Sequence, residues 1–280
     1  MYPDSIKELL LCMLNVSIVL YRPDWKQVTE LTSVLLTSQC VKCVYWVDNS
    51  PMATQSLPLE SDRLQYIHND KNVGYGAAHN IAIRQSIYDD VPFHLVVNPD
   101  ITLDVNALHT MLDFMFSHPQ VGSLMPKVVY PNGEIQRLCK LLPTPFDVFS
   151  RRFLPAAWTR QRTKRYEMHD SGYDKIMNVP YLSGCFMLLR TTAVGQVRLF
   201  DERFFMYPED IDLTRRLHRD YLTVYFPHAT IVHHHAKSSY KSLKMLWIHA
   251  VNMCKYFNKW GWIRDTERKI FNDTAIRDYL

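Results

Sequence analysis

Long apolar runs are missing from this 280-residue sequence. Its most apolar later stretches, residues 181–189 and 245–254, are about half of the ~20 residues that a membrane-spanning helix needs, so no transmembrane segment is expected. An excess of one charge is lacking too: 32 basic and 28 acidic residues leave a formal net charge of +4. That balance does not suggest nucleic acid, and it excludes neither an anionic substrate nor a membrane surface. Cysteine is sparse, with six residues dispersed along the chain (Cys12, Cys40, Cys43, Cys139, Cys185, Cys254). A chain of this length needs no disulfide staples, and Cys40 and Cys43 have CxxC spacing without a second pair. Reduced thiols in a cytoplasmic protein fit best. The opening residues, MYPDSIKELLLCMLN, carry no clear cleavage signal, so no secretory leader is expected. A disordered composition is also excluded, because 47% hydrophobic and 21% charged residues can fill a sizeable core. One large domain or two intimately packed ones would suit the length.

What is present is an alternation of two periods. Residues 15–21 (NVSIVLY), 43–47 and 93–97 read as apolar strands, and 64–68 as a further one. Residues 24–38, 72–85 and 105–116 read as helices. Strands alternating with helices predict an α/β fold, a central and mostly parallel mixed sheet flanked by helices. Polar residues crowd the carboxyl ends of the strands, at Asp48, Asn98 and Asp100, where such sheets bind ligands. Residues 138–171 hold three prolines and a basic cluster, and read as a long loop or a broken helical excursion. They form either a solvated face or a mobile lid. A helix is expected from near Glu209 to about Arg219, short strands at 221–226 and 230–232, and an amphipathic helix at 242–257.

Five segments could carry chemistry. Asp100 in LVVNPD follows a buried strand, and its carboxylate is a hard oxygen ligand of the kind that Mg2+ or Mn2+ shares with substrate phosphates. Asp48 stands at the equivalent place on an earlier strand, where it could accept a hydrogen bond from a base N–H or a ribose hydroxyl; a turn-forming Asp would look the same. The stretch Asn72-Val73-Gly74-Tyr75-Gly76-Ala77-Ala78-His79-Asn80 is glycine-rich at a helix start but lacks a dinucleotide fingerprint. It suits either a closely approaching ligand or a tight turn. The densest signal lies between Asp201 and Asp212, five carboxylates interleaved with Phe200, Phe204, Phe205, Met206 and Tyr207. Such a carboxylate in a pocket wall could deprotonate an acceptor hydroxyl, and for Asp210 helix capping is the rival explanation. In His233-His234-His235 the side chains of an extended segment alternate faces, so one inward metal-ligating histidine is more realistic than three.

Taken in order, NVSIVLY, VDNS, NVGYGAAHN, VVNPD, YLSGCFMLLR, FDERFFMYPEDIDLTRR and HHHAKSS resemble the inverting family 2 glycosyltransferases of GT-A fold. Bacterial rhamnosyltransferase-like members are the most similar, and the resemblance covers roughly residues 15–240. It implies a catalytic domain at 1–240 with a helical extension at 241–280. It implies that Asp48 binds the donor pyrimidine, and that Asn98-Pro99-Asp100 replaces the usual DxD motif, with Asp100 on the metal. Tyr21, Asn72, Gly74, Gly76, Asn80, Asn98 and Gly184 would line the donor. Asp210 would be the base beside Glu209, and Arg216 would pair with a local acid or a diphosphate. His233 would complete the metal site with Ser238 following it, and His234 and His235 are fallbacks. The cofactor would be Mg2+ or Mn2+. The donor would be a dTDP- or UDP-linked sugar, with dTDP-rhamnose preferred. The acceptor would be a saccharide of a cell-surface polysaccharide pathway such as O-antigen or lipopolysaccharide, linked to undecaprenyl diphosphate at the inner face of the bacterial plasma membrane.

The C-terminal basic and aromatic residues, among them Lys241, Lys244, Lys255, Lys259, Trp247, Trp260 and Trp262, suit either a core-packed helix or one lying on an anionic membrane. Two other functions compete. A nucleotidyltransferase would need a glycine-rich loop after the first strand, where this chain has YRPDW. A catalytically inactive binding protein would not need Asp48, Asp100, Asp210 and His233 together.

Overall fold

The computed structural model describes residues 12–234 and 243–278. In chain order the elements are β1 (Leu14–Leu20), α1 (Trp25–Thr37), β2 (Val41–Asp48), β3 (Leu64–His68), α2 (Tyr75–Tyr88), β4 (Phe93–Val97), β5 (Ile101–Leu103), α3 (Val105–Ser117), β6 (Val121–Val129), β7 (Cys139–Lys140), α4 (Pro145–Phe153) and α5 (Ala156–Tyr166). After a 3-10 turn come β8 (Met177–Asn178), β9 (Tyr181–Leu182), β10 (Phe186–Arg190), α6 (Thr191–Gln196), α7 (Pro208–Leu217), β11 (Leu222–His233), α8 (Leu243–Trp260) and α9 (Thr266–Arg277).

One large sheet runs in the order β3-β2-β1-β4-β10-β6-β11-β5. β1, β2, β3 and β4 are mutually parallel, and β6 and β11 are parallel to each other, whereas β10 and β5 run antiparallel to their neighbours. The expected mostly parallel mixed sheet is therefore present. β1 and β4 are almost continuously buried, as strands covered on both faces must be. Helix α1 shows why local sequence suffices there: Asp24 caps it by accepting from the Lys26 N–H, and Val28, Leu31 and Leu35 bury one stripe against the sheet.

Two features place the site. The chain leaves β1 toward β2 and β3 and then crosses back to β4, so a crevice forms at the carboxyl ends of β1 and β4. Register keeps the ends of β1, β2 and β3 level, with Leu20 opposite Asp48 and Asp48 opposite His68. β5 follows Asp100 at once and pairs with the end of β11, His233 opposite Ile101. That pairing draws a histidine 133 positions away to the Asn98–Asp100 loop, and the His234 N–H donates to the Asp100 carbonyl at 2.9 Å.

The second half departs from the sequence reading at β6 and β11, and of the two readings of the proline-rich segment it shows the broken helical one. β6 is an interior strand that periodicity did not disclose, because Gly122 and Pro126 interrupt it. Pro126 is accommodated where β11 slips: Phe226 pairs with Pro126 and Thr230 with Lys127, so residues 227–229 are passed over. For the same reason the two short strands expected at 221–226 and 230–232 are one irregular strand. The proline-rich segment contains two helices, α4 opening on a capping box of Thr144 and Asp147.

The C-terminal helices close over α7. Met253, Tyr256 and Phe257 of α8 pack with Phe204, Ile211, Tyr181 and Leu142. Buried Arg215 of α7 donates to Asp265 at 2.6 and 2.8 Å and to Glu267 at 2.7 Å, its guanidinium lying 4.1 Å over the Trp260 ring. The boundary expected at 240/241 lies outside the described residues.

Candidate active site

On the donor side, Asp48 closes β2 and is buried. Its Oδ1 accepts from the Ser50 N–H at 2.8 Å and its Oδ2 from the Tyr66 hydroxyl at 2.7 Å, so its carboxylate is held rigidly with lone pairs left for a ligand. Tyr21 is exposed at the end of β1. Across the crevice, the Asn98 N–H donates to the Cys185 carbonyl at 2.9 Å. Asn98 Oδ1 accepts from the Tyr75 hydroxyl at 3.0 Å, and that hydroxyl lies 2.7 Å from the Gly184 carbonyl. Tyr75 thus spans from the Asn98 loop to Gly184. The sequence reading passed over it as part of a glycine-rich turn.

Asp100 and His233 meet, with Nε2 3.3 Å from Oδ1. The other ring nitrogen, Nδ1, lies 2.9 Å from Gln136 Oε1. One nitrogen and one carboxylate oxygen form a donor set suited to Mn2+ or Mg2+ sharing its coordination with phosphates and water. Among the described residues no third His, Cys, Asp or Glu joins the pair. His234 instead lies beside Thr102 on the exposed side, 3.0 Å from its hydroxyl. His235, Ser238 and Lys241 lie outside the described residues.

The five carboxylates of the 201–212 segment divide sharply. Asp201 pairs with Arg203 and Lys259, Glu202 with Arg84, and Asp212 with Arg216 and Lys259. Glu209 and Asp210 are buried, and no cation lies within ion-pair distance of either among the described residues. Asp210 Oδ2 accepts from the Gly184 N–H at 2.8 Å and lies 3.4 Å from the Tyr181 hydroxyl, while Oδ1 accepts from the Ile211 N–H at 2.8 Å. Burial raises its pKa to about 6, and the two N–H donors and the charge of Lys140 oppose a larger rise. Glu209 is pushed well above the usual carboxylate range by burial and by the Asp210 charge, and its Oε2 has no hydrogen-bond partner among the described residues. Capping does not explain Asp210, since α7 starts at Pro208 with Tyr207 as its N-cap. Tyr207 itself has φ 92°, a strained value for a residue with a side chain, immediately before the acidic pair.

Gly184 has no room for a side chain: a Cβ there would lie 3.2 Å from Asp210 Cβ and 3.5 Å from the Tyr75 ring. The other glycines expected at the site pack closely against the 200–205 segment. A Cβ on Gly74, whose φ is 95°, would strike the Phe205 carbonyl oxygen at 2.5 Å, and one on Gly76 would meet Phe200 Cβ at 2.8 Å. The first N–H of α2, on Tyr75, already donates to the Phe205 carbonyl. Asn72 accepts from the Gly74 N–H, and Asn80 clamps Phe200 through both its N–H and its carbonyl at 3.0 and 2.9 Å. These residues seat the 200–205 segment on α2. Arg216 likewise bonds its neighbours, Asp212 and the carbonyls of Val197 and Leu199, so a local acid is among its partners. Asn80→Ala is expected to cost about 3 kcal/mol of stability, because it strands two buried backbone groups. Urea unfolding of the variant would measure this, and a loss near zero would mean the clamp is dispensable.

A cavity of about 570 Å3 is lined by Tyr130, Glu134, Gln136, Arg137, Lys140 and Glu167 among others. It touches both sides of the site, through Gln136, which holds His233, and Lys140, whose charge reaches Asp210. On α8, Lys255 and Lys259 are bonded to the body of the protein, at the Arg203 carbonyl and at Asp201, and Trp247 remains exposed. No helix among the described residues is long and apolar enough to cross a membrane.

A model of the family described as "Glycosyltransferase like family 2" matches residues 34–247. Over 240 residues the chain is 29% identical to the N-acetylglucosaminyl-diphospho-decaprenol L-rhamnosyltransferase of Mycobacterium tuberculosis, covering 81% of this chain and 78% of that protein. Among solved structures, a mannosyltransferase from Pyrobaculum calidifontis in complex with GDP-Man and Mn2+ superposes with a TM-score of 0.57 at 14% identity. It covers 88% of this chain, which in turn spans 63% of that one, under two thirds of its length. TarS 1-349 of S. aureus gives 0.57 at 16% identity over 95% of this chain and 70% of its own. The structural likeness establishes the GT-A fold.

Proposed function

Because the chain belongs to the glycosyltransferase like family 2, we propose that it transfers a sugar from a nucleotide donor to a hydroxyl of a lipid-linked saccharide, with inversion at the anomeric carbon. One observation carries this reading. Of five clustered carboxylates, Asp210 is held by the Gly184 N–H and poised near pH 6 with no cation paired to it, and Tyr75 ties Gly184 to the Asn98–Asp100 loop.

In this mechanism Asp48 receives the pyrimidine, and Asp100 and His233 would hold Mg2+ or Mn2+. When bound, such a cation supplies positive charge against the diphosphate that departs. The Gly184 N–H and the Tyr181 hydroxyl aim the Asp210 carboxylate, which takes the proton of the acceptor hydroxyl as that oxygen attacks from the face opposite the leaving group. Glu209, kept protonated by burial and by its neighbour's charge, adds no second negative charge at that point.

Similarity to the mycobacterial L-rhamnosyltransferase favours dTDP-rhamnose as donor and a saccharide on a polyprenyl diphosphate, such as undecaprenyl diphosphate, as acceptor. A UDP-sugar donor would use the same Asp48 contact. The cavity bounded by Arg137 and Lys140 suits the acceptor, with exposed Trp247 contributing to contact with the membrane that carries it. The test is transfer from a panel of dTDP- and UDP-sugars to a polyprenyl-diphosphate N-acetylglucosamine, followed by chromatography of the lipid product. A product from one donor class names the donor. No product and no nucleotide binding across the panel would overturn the reading.

A further inference from the structure

Gln136 lies outside every motif that marks the site, yet it touches the one histidine in it. It sits on the short return from β6, where the Gln136 N–H donates to the Val128 carbonyl at 2.9 Å, so its backbone is locked to the strand beside β11. Its side chain is buried and makes two bonds to the same residue. Nε2 donates to the His233 carbonyl at 2.8 Å, and Oε1 lies 2.9 Å from His233 Nδ1.

The first bond decides the second. A carbonyl oxygen accepts and never donates, so the amide must present its nitrogen there, and a second carbonyl, of Val129, lies 3.5 Å from the same nitrogen. The amide oxygen is therefore left facing the imidazole, and an amide oxygen only accepts. Nδ1 must then carry a hydrogen. In the neutral ring this leaves Nε2 with its lone pair, and Nε2 is the atom directed at Asp100 Oδ1, 3.3 Å away.

We propose that Gln136 is the positioning residue of the cation site, fixing His233 as the Nδ1–H tautomer so that Nε2 is a ready divalent-metal ligand beside Asp100. The inference rests on the reading that Asp100 and His233 hold the cation. Its consequence is specific: the amide of residue 136 sets both the plane of the ring and the atom that faces the metal, and it does so from a chain segment 97 positions away.

Two measurements test it. The first uses wild-type protein labelled with 15N-histidine and needs no metal. Long-range 1H–15N correlations of the His233 ring, identified by their loss in His233→Ala, are expected to show a protonated Nδ1 and a bare Nε2. A ring with hydrogen on Nε2 and none on Nδ1 would overturn the proposal whatever the variants do. The second is Mn2+ binding in the presence of UDP, followed by electron paramagnetic resonance. Gln136→Leu, with no acceptor, is expected to weaken Mn2+ by about 10–100-fold. Gln136→Glu, which still accepts from Nδ1–H although it no longer donates to the His233 carbonyl, is expected to lose less affinity than Gln136→Leu and so to separate tautomer control from loss of packing. Equal affinity in wild type and Gln136→Leu would remove Gln136 from the site. Wild type that binds no Mn2+ would instead refute the Asp100–His233 cation site, and the tautomer measurement would still stand on its own.

Discussion

Asp210→Asn is expected to lower the rate of glycosyl transfer by about a thousandfold, within the range set by loss of a positioned general base, while nucleotide binding persists. The amide keeps the shape of the side chain and can still accept from the Gly184 N–H, but it cannot take a proton. The wild-type profile should carry the same signature. A base must be ionised to act, so kcat/KM is expected to fall about tenfold per unit as pH drops below about 6, where burial has placed the Asp210 pKa. Stability should move the other way. A carboxyl whose folded pKa is raised contributes stability that is fully present below its unfolded value and lost as pH rises through the folded one. Wild type therefore carries a penalty above pH 6 that Asn removes. Asn has only one oxygen to serve the Gly184 and Ile211 N–H groups, and that loss offsets part of the gain. A net gain of about 1–2 kcal/mol at pH 7.5, shrinking as pH falls from 6 toward 4, is the expected balance. Thermal unfolding at both pH values checks it. A variant that is inactive and less stable at pH 7.5 would indicate a structural role for Asp210 instead.

The second large effect concerns Asp100. Asp100→Ala, or chelation of the wild type with EDTA, is expected to reduce transfer by about a thousandfold, since the site would lose several kcal/mol of charge stabilisation for the leaving diphosphate. Asp100 and His233 are two protein ligands of the described residues, and substrate phosphates are expected to share the coordination. Cation affinity should accordingly be weak without nucleotide and strong with it. Calorimetric titration of Mn2+ with and without UDP checks this. Full activity in EDTA, or Mn2+ binding untouched by Asp100→Ala, would remove the cation from this site.

The residues named from sequence were those whose signal is local. Asp48 and Asp100 end strands that periodicity reveals, and Asp210 stands in a short acidic and aromatic run. What remained hidden depends on pairings between distant segments. Nothing near Gln136 hints that β11 will bring His233 against it, and nothing near Tyr75 hints that Gly184 will lie within reach of its hydroxyl. Gly74, Gly76 and Asn80 have a close packing partner that their local sequence did not name. A backbone that must approach something closely demands glycine whether the other party is a nucleotide or, as here, residues 200–205 of the same chain. β6 escaped because proline and glycine argue against an interior strand, and the slip in β11 that admits Pro126 is visible only once the two strands are side by side.

Arg215 carries a consequence for engineering. The helix that presents the acidic pair is anchored on its far side to Asp265 and Glu267, so residues 243–278 support that pair rather than forming an appendage. A chain cut short after residue 242 would leave a guanidinium buried without its anions and strip the cover from Phe204 and Ile211. Chimeras that exchange acceptor specificity between relatives should accordingly move α7, α8 and α9 as one cassette.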